Sequence, residues 1–137
     1  RPEEAAERRT REVLSGRYDP ANAILLGGET TPALPEDHGK GGRNQHFAGA
    51  TLPVMDEAEK SLTVVSAGTD GSDYIDGVAG AIVDKNTLDR VREEGLDVRD
   101  YLERFDSYGL FSRLGGSLIE TGDTGTNVCD LMVYLVD

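Results

Sequence analysis

Leu62-Thr63-Val64-Val65-Ser66-Ala67-Gly68-Thr69-Asp70-Gly71 carries the strongest strand signal in the chain. After Leu62 its residues to Ala67 are β-branched or small, and the run is bounded by turn formers, which suits a pleated, half-buried segment. It runs into an aspartate at its carboxyl end, the edge at which open α/β sheets bind ligands. Asn22–Leu26 is a second apolar run of strand length, and Thr31–Leu34 continues it before Pro35 interrupts. Ser117–Glu120 and Asp130–Val136 read as a short strand and a closing strand.

Helical signals fill the intervals. Pro2 suits a first helical position, three glutamates follow it, and Gly16 stops a helix over 2–15. Its apolar face is thin, which fits the end of an upstream domain or a connecting helix over 1–19, with the domain itself at 20–137. Phe47–Leu52 reads as a short helix ended by Pro53, and Val78–Val83 as a small, tight-packing one. Thr87 caps a helix that stops at Gly95, and 97–105 and 107–114 give two more. Strands interleaved with helices predict a layered α/β/α domain, and strands adjoining through glycine turns predict a mixed β-sheet.

Composition narrows the function. A chain of 137 residues forms one domain with a genuine core. Its net charge of −12 argues against nucleic acid and anionic membranes as partners. No apolar stretch is long enough for a transmembrane helix. Lys+Arg number 14 against 26 Asp+Glu, and the acid-rich, lysine-poor balance predicts a halophile-like surface. Cys129 is alone, which excludes an internal disulfide and fits the cytoplasm; it is expected to pack as a small hydrophobe.

Four loops share one character: Gly27–Thr31, Gly39–Gln45, Gly68–Gly71 and Thr121–Asn127. Each combines glycine with Thr, Asn, Asp or Arg, and three directly follow a strand, so a shared cleft at one sheet edge is expected. Gly39-Lys40-Gly41-Gly42-Arg43-Asn44-Gln45 leads into a helix, where exposed N–H groups and the helix dipole favour a phosphate. It is neither a Walker loop nor a dinucleotide fingerprint. Arg43 is the natural bidentate partner for phosphate or carboxylate, and Lys40 a mobile point charge. Asp70 is suited to Mg²⁺ through waters, or to accepting a hydroxyl proton. Asp73 and Asp76 read as solvated acids, and His38 and His46 lack zinc-ligand spacing.

Gly-Gly-Glu-Thr-Thr at 27–31, Gly-Gly-Arg-Asn-Gln at 41–45, Ala-Gly-Thr-Asp-Gly at 67–71 and Thr-Gly-Thr-Asn-Val at 124–128 occur in this order. Together, with Asp106-Ser107-Tyr108, they resemble the MOFRL domain, the carboxyl-terminal domain of the glycerate 2-kinases, often labelled hydroxypyruvate reductases. The resemblance implies an enzyme phosphorylating D-glycerate at its 2-hydroxyl with ATP and Mg²⁺, its active site lying between this domain and an amino-terminal one. It implies Arg43 and Asp70 as catalytic residues. Glu29, Thr30, Lys40, Asn44, Thr124, Thr126 and Asn127 are the accompanying substrate- or phosphate-binding set. A homodimer is compatible with it. The glutamate usual after Arg-Asn-Gln is His46 here, the loop 72–77 lacks the expected proline, and Cys129 stands where Asn is common. An NAD(P)H-dependent hydroxypyruvate reductase and a non-catalytic anion-binding domain are the alternatives.

Overall fold

A computed structural model describes all of residues 1–137. In chain order the elements are α1 (Pro2–Leu14), β1 (Ala23–Gly28), α2 (Arg43–Asp56), β2 (Leu62–Gly68), β3 (Gly80–Val83), α3 (Lys85–Glu94), α4 (Val98–Glu103), α5 (Ser107–Leu114), β4 (Leu118–Ile119) and β5 (Asp130–Val136). The strands form one sheet in the order β1-β5-β2-β3-β4.

β5 explains the topology. It pairs antiparallel with β1 (Leu25 opposite Val133) and with β2 (Val65 opposite Val133). β1 and β2 therefore run in the same direction, joined by the α2 crossover as in a βαβ unit, but β5 fills the gap between them. β2–β3 and β3–β4 are antiparallel too. The helix-strand interleaving expected from sequence is present, whereas the expected mixed sheet is antiparallel throughout.

Strand alternation sorts residues onto two faces. Leu62, Val64, Val83, Met132 and Tyr134 point to one, where they form the core with Phe47, Leu52, Leu110 and Phe111. α2 lies across β2 and β3 on this face, and α1 and α4 pack on α2. Eleven of the fourteen residues of α2 are buried, so it is a central helix rather than an amphipathic surface one. That burial carries the helix through Pro53, which lies inside it and does not end it. α1 is anchored by Ala6, Thr10 and Val13, and the Thr10 hydroxyl lies 2.9 Å from the Tyr134 hydroxyl. Burial pushes the Tyr134 phenol up to about 12.

Two further segments differ from expectation. Thr31–Leu34 forms no strand. Val78–Val83 is not a helix; its last four residues are β3, held against β2 because Gly80 has no side chain. α3 begins as a capping box: the Asp84 side chain accepts from the Thr87 N–H, and Thr87 Oγ1 accepts from the Asp84 N–H. Gly95, in a left-handed conformation, closes that helix as the sequence indicates.

The second helical layer is missing. The other face of the sheet carries Leu25, Val65, Ile82, Leu131, Val133 and Leu135, with Leu25 63% exposed. No charged side chain stands among these positions.

A Cβ on Gly80 would fall well inside contact distance of the Ser66 carbonyl oxygen. Overpacking costs about 1–3 kcal/mol, and a backbone carbonyl within a ladder yields little. Gly80→Ala is expected at the upper end of that range, read as a lower urea midpoint with an unchanged slope.

Candidate active site

The amino terminus of α2 organises this end of the molecule. Its N-cap, Gly42, offers no capping side chain. Asp73, from the loop between β2 and β3, supplies one. Its Oδ1 accepts from the Asn44 backbone N–H (3.0 Å) and side-chain amide (3.1 Å). Oδ2 accepts from the Gln45 backbone N–H (2.8 Å) and side-chain amide (3.0 Å). Asp73 is 2% exposed, and burial pushes its carboxyl above the usual range while these four donors pull it down. Gly42 is required because a Cβ there would strike the Asp73 backbone. Two sequence expectations are thereby corrected. Asp73 is not a solvated acid, and the anion held by this helix terminus is the protein's own carboxylate.

The glycine loop before α2 is also engaged internally. The Gly39 N–H donates to the Arg104 carbonyl (2.8 Å) and the Lys40 N–H to Asp106 Oδ1 (3.1 Å). Neither is free to cradle a phosphate. What this stretch offers a ligand is side chains.

Arg43, the first residue of α2, reaches across to the start of β5. Nε donates to Asp130 Oδ2 (2.6 Å) and Nη2 to Asp130 Oδ1 (3.1 Å), while Nη2 also lies 2.6 Å from Glu29 Oε1. The bidentate bond to Asp130 chiefly holds the guanidinium charged. Asp130 is 4% exposed and was not singled out in the sequence; a carboxylate heading an otherwise apolar strand is the signal for it.

Arg43 lines a cavity of about 300 Å³ with Glu29, Asp70, Ser72, Asp73, Tyr74 and Asn127. Each of the four glycine-rich loops contributes one residue: Glu29, Arg43, Asp70 and Asn127. Asp70 Oδ1 accepts from the Ser72 N–H (3.0 Å), and no bond within the chain engages Oδ2. The third and fourth loops are stitched together. Thr124 Oγ1 donates to the Thr69 carbonyl (2.5 Å), and Thr69 Oγ1 donates to the Cys129 carbonyl (2.6 Å) and accepts from the Val128 N–H (2.9 Å).

The remaining expected residues lie elsewhere. Asn44 is buried behind the cavity, its amide on Asp73 and its oxygen accepting from Ser66 Oγ (2.7 Å), so its role is to hold α2. Thr124 ties its loop to Thr69, Thr126 bonds only within that loop, and neither they nor Thr30 line the cavity. Lys40 lines a neighbouring space. Cys129 is exposed, with a left-handed backbone (φ 69°), and does not pack as a hydrophobe. His46 turns away from Arg43: Nε2 lies 3.3 Å from Glu3 and the ring stacks on Phe105 at 4.3 Å. The absent glutamate at this position therefore removes nothing from the cavity. No three His, Cys, Asp or Glu side chains gather closely enough to hold a metal unaided.

The family model for MOFRL matches residues 22–130. This chain belongs to the MOFRL family. The MOFRL domain is 37% identical over 119 residues to a glycerate 2-kinase of Pyrococcus horikoshii, covering 87% of this chain and 26% of that protein. It is 38% identical over 136 residues to a glycerate kinase of Danio rerio, covering 93% of this chain and 27% of the relative. The crystal structure of glycerate kinase from Thermotoga maritima superposes with a TM-score of 0.86 at 36% identity, over 100% of this chain and 34% of that one. The MOFRL domain thus spans between a quarter and about a third of the length of these proteins.

Removing the Asp73 carboxylate leaves buried N–H donors without partners, at about 1–3 kcal/mol each. Asp73→Ala is expected to cost more than about 3 kcal/mol in urea unfolding, since several donors are stranded together. His46 gives a pH test. Burial lowers its pKa in the fold, opposed by Glu3, so the unfolded chain takes up more protons below the ordinary histidine value. Its contribution to stability is complete above about pH 6.5 and is lost as pH falls towards the depressed folded value. His46→Gln should lose less thermal stability than the native protein between about pH 7.5 and about pH 5.5. An equal loss would remove His46 as a source of acid sensitivity.

Proposed function

We propose that this MOFRL domain forms one wall of the active site of an ATP-dependent glycerate 2-kinase, with an amino-terminal domain of the same polypeptide as the other wall. The reaction breaks the bond between the β–γ bridging oxygen and the γ-phosphorus of ATP. It joins that phosphorus to the 2-hydroxyl oxygen of D-glycerate, giving 2-phosphoglycerate and ADP. The observation that carries this reading is the convergence of all four family loops on Arg43. Three glycerate-kinase relatives aligned over nearly the whole chain support the substrate.

Phosphoryl transfer depends chiefly on positioning and electrostatics. Arg43 is fixed by Asp130, and its Nη1 is engaged by no bond within the chain, so it meets a transferring phosphoryl group in a preset orientation. Glu29, more than half exposed, is the side chain an incoming anion displaces from the guanidinium. Asp70, with Oδ2 free, takes the hydroxyl proton or faces the metal. Asn127 donates to substrate oxygens.

The cavity lining opposes three carboxylates, Glu29, Asp70 and Asp73, to one guanidinium that Asp130 already grips from behind. It therefore favours a phosphate that arrives with a cation. Asp70 suits Mg²⁺, which is commonly held by one or two carboxylates with waters and phosphate oxygens completing its shell. Bound there, Mg²⁺ would supply charge neutralisation to the transferring phosphate. We assign the enzyme to the cytoplasm on its single unpaired, exposed cysteine, and read its acid-rich, lysine-poor composition as suited to high salt.

The 137-residue domain alone is expected to show no glycerate-dependent ADP release. The full-length protein is expected to be active with ATP and glycerate, and inactive with NAD(P)H and hydroxypyruvate. In that protein Arg43→Ala should lower kcat by about 100-fold, as for loss of one charge-stabilising donor. Near-native kinetics in the variant would take Arg43 out of the mechanism.

A further inference from the structure

Tyr74 is exposed to 69% yet holds a left-handed backbone, φ 61°. A bulky residue in this region is strained and persists where the surroundings or a function demand it. Core packing does not supply the demand, because most of the ring faces solvent. The ring stands on the boundary between two spaces. On one side the Arg43 guanidinium carbon lies 5.9 Å from its centroid, in the cavity described above. On the other is a separate cavity of about 450 Å³, within the usual size range for small-molecule pockets.

That second cavity has the walls of a slot for a flat ring. Ile75, Leu34, Pro32 and Phe105 give it apolar sides. The backbones of Gly39 and Gly41 present a surface without side chains, locked against Asp106 and Ser107. Phe105 is the second aromatic residue of the chain with a left-handed backbone, φ 52°. No carboxylate lines the slot, in a chain of net charge −12, whereas Lys40 and His38 do. An apolar slot with an exposed aromatic face, a cation and no acid fits a heteroaromatic ring that carries an anionic tail.

We propose that this slot receives the base of the nucleotide, stacked on Tyr74, with the phosphates leaving on the side where the Arg43 cavity begins. The proposal rests on the kinase reading for the identity of the ligand. It adds to that reading the placement of the base in this domain. Tyr74 then acts as a partition: one ring face neighbours the phosphate-handling arginine, and the other holds the base. Base–aromatic stacking requires only the π-face, so the phenolic hydroxyl is dispensable.

The test uses the full-length protein and two variants. Tyr74→Gly accepts the left-handed backbone without strain, so its urea midpoint should equal or exceed the native one. Its KM for ATP should rise about 10-fold, the loss expected for one stacked base, with KM for glycerate unmoved. Tyr74→Phe restores the π-face and should recover the ATP KM and the adenine signal that Tyr74→Gly loses. Saturation-transfer NMR with ADP gives a readout independent of catalysis: the adenine H2 and H8 protons should be saturated with the native protein and far less with Tyr74→Gly. If glycerate is not phosphorylated but the adenine protons respond in this Tyr74-dependent way, the kinase reading fails and the slot stands. If the enzyme is active and neither the ATP KM nor the adenine signal changes in Tyr74→Gly, the slot assignment is overturned. Absence of both activity and ADP binding overturns both.

Discussion

The four hydrogen bonds between the Asp73 carboxylate and the first turn of α2 are the contact on which this end of the molecule depends. A helix terminus buried without partners is not tolerated, since each orphaned N–H carries its full desolvation cost. α2 is the helix that every other layer touches, and its first residue is Arg43. A single carboxylate therefore closes the buried helix end, pins the loop after β2, and fixes where the arginine backbone begins. Asn44 extends the same network to β2 through Ser66. The glycines of this stretch serve the closeness of these contacts more than any mobility.

The second constraint is electrostatic. Arg43 enters its cavity already paired with a buried and an exposed carboxylate, in a protein whose overall field repels anions. The buried partner gives direction: a guanidinium fork gripped on one edge presents its other edge in a known plane. The exposed partner gives exchangeability, because a solvated ion pair is worth little and yields readily to a better anion. The excess of negative charge around one arginine disfavours a bare anion in this cavity.

Much of the fold was legible where the signal is local. β2 and β5 alternate with branched residues, and α3 carries its stop in Gly95. The failures share a cause. Val78–Val83 is a short apolar run without a period, and only the proximity of β2 to Gly80 makes part of it a strand. Pro53 marks a helix end locally, but a helix packed on nearly all sides continues through it. The convergence of the four loops was legible because each bears an unusual composition next to a strand. The fate of Asp73 was not, because its partners lie 29 and 28 residues away in the chain. Its one local trace is Gly42, a helix start with no capping side chain, which calls for a cap from elsewhere. Asp130 escaped for a similar reason: a carboxylate at a strand head looks like a turn until a distant arginine reaches it.

The uncharged far face of the sheet has a consequence for how the isolated domain behaves as a colloid. Its surface divides into an acidic, helix-bearing body and one apolar plate, so two copies repel through most of their area and attract through a small part. Dilute salt leaves the repulsion long-ranged and keeps copies apart. Concentrated salt screens that repulsion and strengthens the attraction between plates. With the plate bare, the domain is most soluble in weak electrolyte and salts out early.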